Sequence, residues 1–335
     1  MKILICSHVF HPGIGGIETV TRLLAEQFTA AGEEVTVVTE TAGAGTYPYL
    51  VKRNVGNAEL ISLGRKADLI FQSNISLKTL IPLLFLGKPI VVTHHTWLSR
   101  PDGRLAWQDR LKRLLLPMCH NVAISQAIAN SLPVQSKILS NPFEKNAFYP
   151  FREIPKGKDI VFLGRLVSDK GCDLLLEALN ILAQEAISPT VSIIGDGSER
   201  IALERRATAL GLNDRVNFYG NVVENRGLEV AKHKIMVVPS RWNEPFGLVA
   251  LEGISAGCVI ASSSQGGLSE AVGPCGLLFP NSDVHRMAAC LRTLLTDKTI
   301  RDGLSRSSEI HLEKFDPKVV AGKYLEYFHK ILHSK

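Results

Sequence analysis

At 335 residues, 45% of them apolar and 21% charged, the chain has the composition of a soluble globular protein and length enough for two cores. No run reaches the roughly 20 apolar residues that span a bilayer. The net charge of +6 is uneven: residues 1–145 hold 15 Lys and Arg against 10 Asp and Glu, residues 146–335 hold 23 against 22. The basic half faces something acidic or serves solubility. Without a stacking aromatic platform or a known motif, nucleic acid is not the expected partner. The six cysteines (Cys6, Cys119, Cys172, Cys258, Cys275 and Cys290) include no C-x-x-C pair. They read as buried thiols, not as a disulfide framework or zinc site.

Met1–Cys6 meets polar residues by Ser7, so it reads as a first strand, not a signal peptide, and points to a cytoplasmic location. The glycine-rich His8–Glu18 stretch follows. A dinucleotide fingerprint needs G-x-G-x-x-G; Gly13 and Gly15 fit, but Glu18 takes the third glycine's place. What remains is a turn at a helix start, Gly15-Gly16, suited to close approach of a phosphate or sugar, or a plain β-α loop. Residues 17–31 are an amphipathic helix closed by Gly32. Strands are expected at Glu34–Thr39, Ala67–Phe71, Pro89–Thr93, Asn121–Ile124 and Lys137–Leu139. The run Thr93-His94-His95-Thr96-Trp97 ends the fourth strand. Adjacent histidines there point different ways, so a shared metal is not expected.

Arg104–Leu116 is a helix with Trp107, Leu111, Leu114 and Leu115 on one face and Arg104, Arg110, Lys112 and Arg113 elsewhere. It suits either an anionic membrane surface or the cover of a sheet with solvated charges. Pro142, Pro150 and Pro155 mark a linker, and the pattern then restarts. Strands at Asp159–Leu163, Val191–Ile194, Val216–Tyr219, Ile235–Val238 and Val259–Ser262 alternate with helical stretches. A closing helix follows Phe315-Asp316-Pro317. The expected architecture is α/β: two parallel-sheet units in tandem with a cleft between them, at 1–145 and 146–315, and a final helix at 316–335 packing back on the first. Ligands in such sheets sit beyond the carboxyl ends of the strands.

Three features of the second half carry chemistry. Arg165 and Lys170 follow a strand end, five residues apart, and can converge on a diphosphate; the alternative is a surface pair of little energetic weight. Pro239–Glu252 runs from a buried strand through a loop holding Glu244, Pro245 and Gly247 into a helix holding Glu252. Helix-start amides at Phe246, Gly247, Leu248 and Val249 suit an anion, and two carboxylates suit hydroxyls. A nucleotide diphosphate sugar offers both. Two carboxylates also suit a glycosidase, which needs one raised pKa and a water.

Gly164-Arg165-Leu166 with Lys170-Gly171, then Glu244-Pro245-Phe246-Gly247-Leu248 with Glu252, seven residues standing between the two glutamates, resemble retaining glycosyltransferases of the GT-B fold, family 4. The resemblance covers nearly the whole chain, with Gly15-Gly16 and the Thr93-x-His95 pair where that family has its donor loop and an active-site histidine. It implies two Rossmann-like domains facing across a cleft, the first binding the acceptor and the second the nucleotide sugar. It also implies transfer with retention by front-face attack, without a divalent metal or other cofactor. Arg165 and Lys170 would neutralise the leaving diphosphate, Glu252 would take the ribose diol, and Glu244 would hold the transferred sugar. His95 would position sugar hydroxyls or the acceptor. A uridine diphosphate sugar is the prior for the donor. A saccharide or lipid-linked acceptor of cell-surface polysaccharide, lipopolysaccharide or glycolipid synthesis, reached at the inner membrane face, is the prior for the acceptor. An epimerase of related fold and a non-catalytic nucleotide-sugar-binding subunit stay open beside it.

Overall fold

The computed structural model of the protein describes residues 1–99, 106–222 and 225–334. The chain forms two compact units, Met1–Phe143 with Phe315–Lys335, and Glu144–Lys314. The first holds a parallel sheet of β1 (Lys2–Ser7), β2 (Glu34–Thr39), β3 (Leu50–Arg53), β4 (Leu69–Ser73), β5 (Ile90–His94), β6 (His120–Ala123) and β7 (Lys137–Ile138). Its strand order is 3-2-1-4-5-6-7. The second holds β8 (Lys158–Leu163), β9 (Val191–Ile194), β10 (Val216–Gly220), β11 (His233–Val238), β12 (Val259–Ser263) and β13 (Gly276–Phe279) in the order 10-9-8-11-12-13. The central strands are buried on both faces, so they read as continuous apolar runs and not as alternation.

In each sheet the chain winds outward on one side of its first strand, then returns to pair on the other. β1 lies between β2 and β4, with Ile3 beside Leu69 and Cys6 beside Gln72. β8 lies between β9 and β11, with Ile160 beside Ile235 and Phe162 beside Val237. That reversal opens a crevice beyond the carboxyl ends of the paired strands, because the loops after them diverge to opposite faces. Gly15, Gly16, His95, Arg165, Lys170, Glu244 and Glu252 all follow a strand of one sheet or the other.

The helix Gly16–Ala30 buries Val20, Thr21, Leu23, Leu24, Ala25 and Phe28, and the left-handed Gly32 (φ 91°) ends its run. The final helix, Pro317–His333, is started by Asp316, whose side chain accepts from the Lys318 amide, and by proline at its first position. Its buried face sets Tyr324 and Phe328 among Phe28 and Phe71 of the first unit, at ring-centroid separations of 5.5 to 6.4 Å. Offset and edge-on aromatic packing of that kind adds to the burial of each ring.

Elements absent from the sequence reading include β3, β13 and the helices Asn57–Lys66, Leu77–Leu84, Val284–Thr296 and Lys298–Arg306. Both strands are four-residue edges with no fully buried run. Pro82 sits inside the eight-residue helix Leu77–Leu84. The Arg104–Leu116 segment also differs from the reading. Its helix is Trp107–Leu115, followed by a 3-10 turn at Leu116–Met118, and Arg104 and Leu105 lie outside the described residues. No residue of that helix is buried, and Trp107 and Leu114 are 70% and 72% exposed. The four apolar residues therefore do not share a sheet-facing side: Leu115 packs on the core with Leu116, while Trp107 and Leu114 point to solvent. No helix among the described residues is long and apolar enough to cross a membrane.

Candidate active site

In the second unit the loops after β8 and β11 are stapled together. The Asp169 carbonyl accepts from the Arg241 and Trp242 amides at 2.9 and 3.3 Å. The Arg241 guanidinium forks onto both Asp173 oxygens (2.6 and 2.5 Å) and also donates to the Ser168 carbonyl at 2.9 Å. The Asp173 carboxylate raises the Arg241 pKa above its ordinary value. Gly171 is left-handed (φ 66°), and a Cβ there would stand 2.1 Å from the Pro239 carbonyl. Glycine is thus required for the two loops to approach. Gly195 has the same origin: a Cβ would meet the Gly164 carbonyl at 1.8 Å.

The staple sets Lys170 against Glu244. Lys170 Nζ lies 2.5 Å from Glu244 Oε1, which also accepts from Ser240 Oγ at 2.9 Å. Glu244 is 8% exposed. Its backbone is fixed from the other side, where the Gly267 amide donates to the Glu244 carbonyl at 2.7 Å. A Cβ on Gly266 (φ 76°) would stand 2.2 Å from that same carbonyl. Lys170 has three donors, so its ammonium can hold Glu244 and still offer hydrogens to a phosphate oxygen. Arg165 is exposed and makes no ion pair among the described residues.

The helix Leu248–Ser255 starts at Gly247 in the left-handed region (φ 104°), with no side chain capping it. A Cβ on Gly247 would strike Leu268 at 2.4 Å. Phe246 buries its ring, so only backbone atoms at that position can serve a ligand. Leu248 and Val249 supply the first amides of the helix, whose positive end favours an anion. Lys156 steadies the far end: its ammonium donates to the Ala256 carbonyl and to Ala231, both at 2.7 Å.

Glu252 sits on this helix with its side chain 17% exposed. Its ion-pair partner is neither Arg165 nor Lys170. Arg226 holds that place, 3.6 Å from Glu252 and 4.0 Å from Glu144, stacked over Phe148 at 5.3 Å. Burial raises the Glu252 pKa, Arg226 opposes the shift, and Glu144 adds to it.

In the first unit, Gly15 and Gly16 begin the helix that follows β1. Gly15 is extended, and the Glu18 carboxylate folds back over it. That carboxylate suits a hydroxyl better than a phosphate at this turn. His94 and His95 diverge as expected of a strand end. His94 bonds Asn121 at 3.0 Å, whereas His95 Nε2 meets Ser73 Oγ at 3.3 Å. Both rings are buried, which pushes their pKa values down to about 4 and about 3. Thr93 turns the other way, to the Tyr324 hydroxyl at 3.3 Å.

Sequence reasoning missed Ser240, Arg241, Asp173, Arg226 and Ser73. Ser240 and Arg241 sit inside the stretch already marked, so a search for loop polar residues could have found them. Asp173 and Arg226 become neighbours of the site only through the fold.

Residues 145–309 match the model of glycosyl transferases group 1. The matched stretch contains the Arg165, Lys170, Glu244 and Glu252 set. Among curated proteins, the chain is 34% identical over 173 residues to a D-inositol 3-phosphate glycosyltransferase of Jonesia denitrificans, covering 48% of this chain and 40% of that protein. It is 26% identical over 267 residues to the phosphatidyl-myo-inositol mannosyltransferase of Mycobacterium leprae, covering 73% and 68%. The match thus spans well under half the length of the first of these relatives. Among solved structures, Anabaena Alr3699/HepE in complex with UDP superposes with a TM-score of 0.83 at 21% identity, covering 98% of this chain and all of that one. The shared fold is that of GT-B glycosyltransferases, with two parallel-sheet α/β domains flanking the glycosyl transferases group 1 boundary.

Proposed function

We propose that the protein is a retaining, metal-independent glycosyltransferase of family 4 that moves a sugar from a nucleotide diphosphate sugar to an acceptor hydroxyl. The observation that carries the reading is the Lys170–Glu244 pair at 2.5 Å, held between two stapled loops at the switch point of the second sheet. It puts a cation with spare donors beside a carboxylate that can bind hydroxyls, as a diphosphate joined to a sugar demands. Lys170 and the exposed Arg165 neutralise the diphosphate as it leaves, when its charge grows. The amides at the start of the Gly247-capped helix add to that. Glu252 accepts from the ribose diol, and Glu244 holds the sugar in transit. The leaving phosphate oxygen takes the acceptor's proton on the face of departure, so no side chain need serve as base. Gly15-Gly16 and His95 serve sugar or acceptor hydroxyls.

Uridine diphosphate is the proposed nucleotide, supported by the likeness to a protein solved with UDP and with UDP-glucose. Thermal unfolding against a panel of uridine, guanosine and adenosine diphosphate sugars tests this. One uridine donor at 100 times its Kd is expected to stabilise the protein by about 2.7 kcal/mol. Stabilisation by guanosine or adenosine donors alone would reassign the base.

For the acceptor we propose a lipid-linked saccharide or glycolipid met at the inner membrane face. Support comes from the relative named for phosphatidyl-myo-inositol. It also comes from the Trp107–Leu115 helix, where Trp107 and Leu114 stand exposed beside Arg110, Lys112 and Arg113. Co-sedimentation with vesicles is expected to need anionic lipid and to weaken in Trp107→Ser. Equal binding to neutral vesicles would count against it.

A further inference from the structure

Arg226 belongs to no motif of the sequence, yet the fold builds a seat for it. Three short helices meet there: Lys145–Phe148, Arg226–Ala231 and Leu248–Ser255. Gly227 sets the approach of the first two. A Cβ at that position would stand 1.8 Å from the Ala147 carbonyl, so no larger residue lets the helices come this close. Asn225, left-handed at φ 56°, turns the chain into the second helix. The Arg226 guanidinium then lies 5.3 Å from the centroid of the Phe148 ring, which is fully buried. A cation over an aromatic face is held there by the ring's quadrupole.

Two carboxylates flank that guanidinium, Glu252 at 3.6 Å and Glu144 at 4.0 Å. The distance to Glu252 decides what the contact does. A charge-assisted hydrogen bond from guanidinium to carboxylate runs about 2.7–2.9 Å. The fork of Arg241 on Asp173, at 2.6 and 2.5 Å, is of that kind, and it spends the oxygens it holds. At 3.6 Å Arg226 supplies charge to Glu252 without occupying its oxygens. No hydrogen bond among the described residues reaches the Glu252 carboxylate, so its lone pairs remain for the donors of a ligand. Glu244 differs, because its Oε1 already accepts from Lys170 and Ser240. Glu252 needs the charge. Burial favours the neutral form of its carboxyl, Arg226 opposes that, and Glu144 reinforces it. A neutral carboxyl is the weaker acceptor.

We propose that Arg226 is a positioning residue that holds the Glu252 carboxylate in its charged form and leaves its oxygens open, so that both hydroxyls of a vicinal diol can donate to it. Arg226 acts through Glu252 and not on the ligand. Glu144 and the Phe148 ring keep the guanidinium in the place where it does this. The diol is that of a ribose on the reading of Glu252 given above, on which this inference rests.

Calorimetry with a nucleoside diphosphate and its 2′,3′-dideoxy analogue separates this role from a structural one. The base is the one that stabilises the protein, uracil on the present reading. The unaltered protein is expected to bind the ribonucleotide about 10- to 100-fold more tightly than the dideoxy form, and Glu252→Gln to lose that preference. Arg226→Met is expected to cut the preference by about 10-fold, with dideoxy affinity held within about twofold. Joined to Glu252→Gln it is expected to cut the preference no further than Glu252→Gln alone, because the two residues act through one contact. Arg226→Lys restores the charge and is expected to recover part of the preference. A merely structural role would weaken both nucleotides alike in Arg226→Met and leave the preference intact, which overturns the proposal. Should Arg226→Met not fold, Arg226→Gln, which keeps a planar polar end without the charge, decides in its place. A preference lost in Glu252→Gln but kept in Arg226→Met defeats this inference alone. No preference in the unaltered protein defeats the reading of Glu252 itself, and this inference with it.

Discussion

Lys170→Ala is expected to lower sugar transfer by about 10²–10³-fold, in kcat more than in KM, because the ammonium acts most strongly as charge develops on the departing diphosphate. The same substitution leaves Glu244, 8% exposed, with the Ser240 hydroxyl as its side-chain donor. Breaking a half-buried pair from one side is destabilising, since the remaining charge loses its partner. Loss of activity and loss of stability therefore have to be separated. The double variant Lys170→Met with Glu244→Gln removes both charges and is expected to recover melting temperature without recovering transfer. Coupling of that kind marks residues that act on one another. Full activity in Lys170→Ala, with circular dichroism unchanged, would remove the basis of the proposed mechanism.

Glu252→Gln separates binding from folding in a different way. Burial raises the Glu252 pKa in the folded protein, so ionisation there opposes folding. The penalty is present above the folded pKa and fades as pH falls toward the ordinary carboxylate range, where folded and unfolded chains are both protonated. Glu252→Gln is accordingly expected to melt higher than the parent at pH 8, with the advantage shrinking as the pH is lowered. Nucleotide affinity should move the opposite way. Hydrogen bonds from a ribose diol to a charged acceptor are worth about 1.5–3 kcal/mol, so the amide should weaken UDP binding by about 10- to 100-fold by calorimetry. A variant that melts lower at pH 8 yet binds UDP equally well would contradict both parts.

The strands that build the two switch points were readable because they are buried on both faces, and such runs stand out in any sequence. β3 and β13 escaped because edge strands need only be half covered and can be four residues long. The loop chemistry divided along the same line. Lys170, Glu244 and Glu252 announced themselves as charged residues at strand ends and helix starts. Their pairing did not. The spacing sets Lys170 beside Arg165, five residues away, but its partner is Glu244, 74 positions on. The cation beside Glu252 is Arg226, which belongs to no motif of the sequence. Such partnerships depend on which loops diverge from neighbouring strands, and strand order is not written locally in a sequence. The pair of Ser73 and His95 shows the same limit. Ser73 lies on β4 and His95 after β5, and only the pairing of those strands brings them together. The exposed Trp107 shows the converse: its periodicity was correct, but periodicity alone does not say which face meets the core.

The reaction itself is most directly tested by following donor cleavage by the purified protein in real time, with chelator present. The proton spectrum of the sugar released from an α-linked uridine diphosphate sugar, to water or to an added acceptor, reports which anomer forms first. The proposed mechanism predicts the α-anomer first, in the presence of chelator, and its loss in Lys170→Ala. A β-anomer first, a requirement for divalent metal, or no cleavage of any nucleotide diphosphate sugar that stabilises the protein would contradict it.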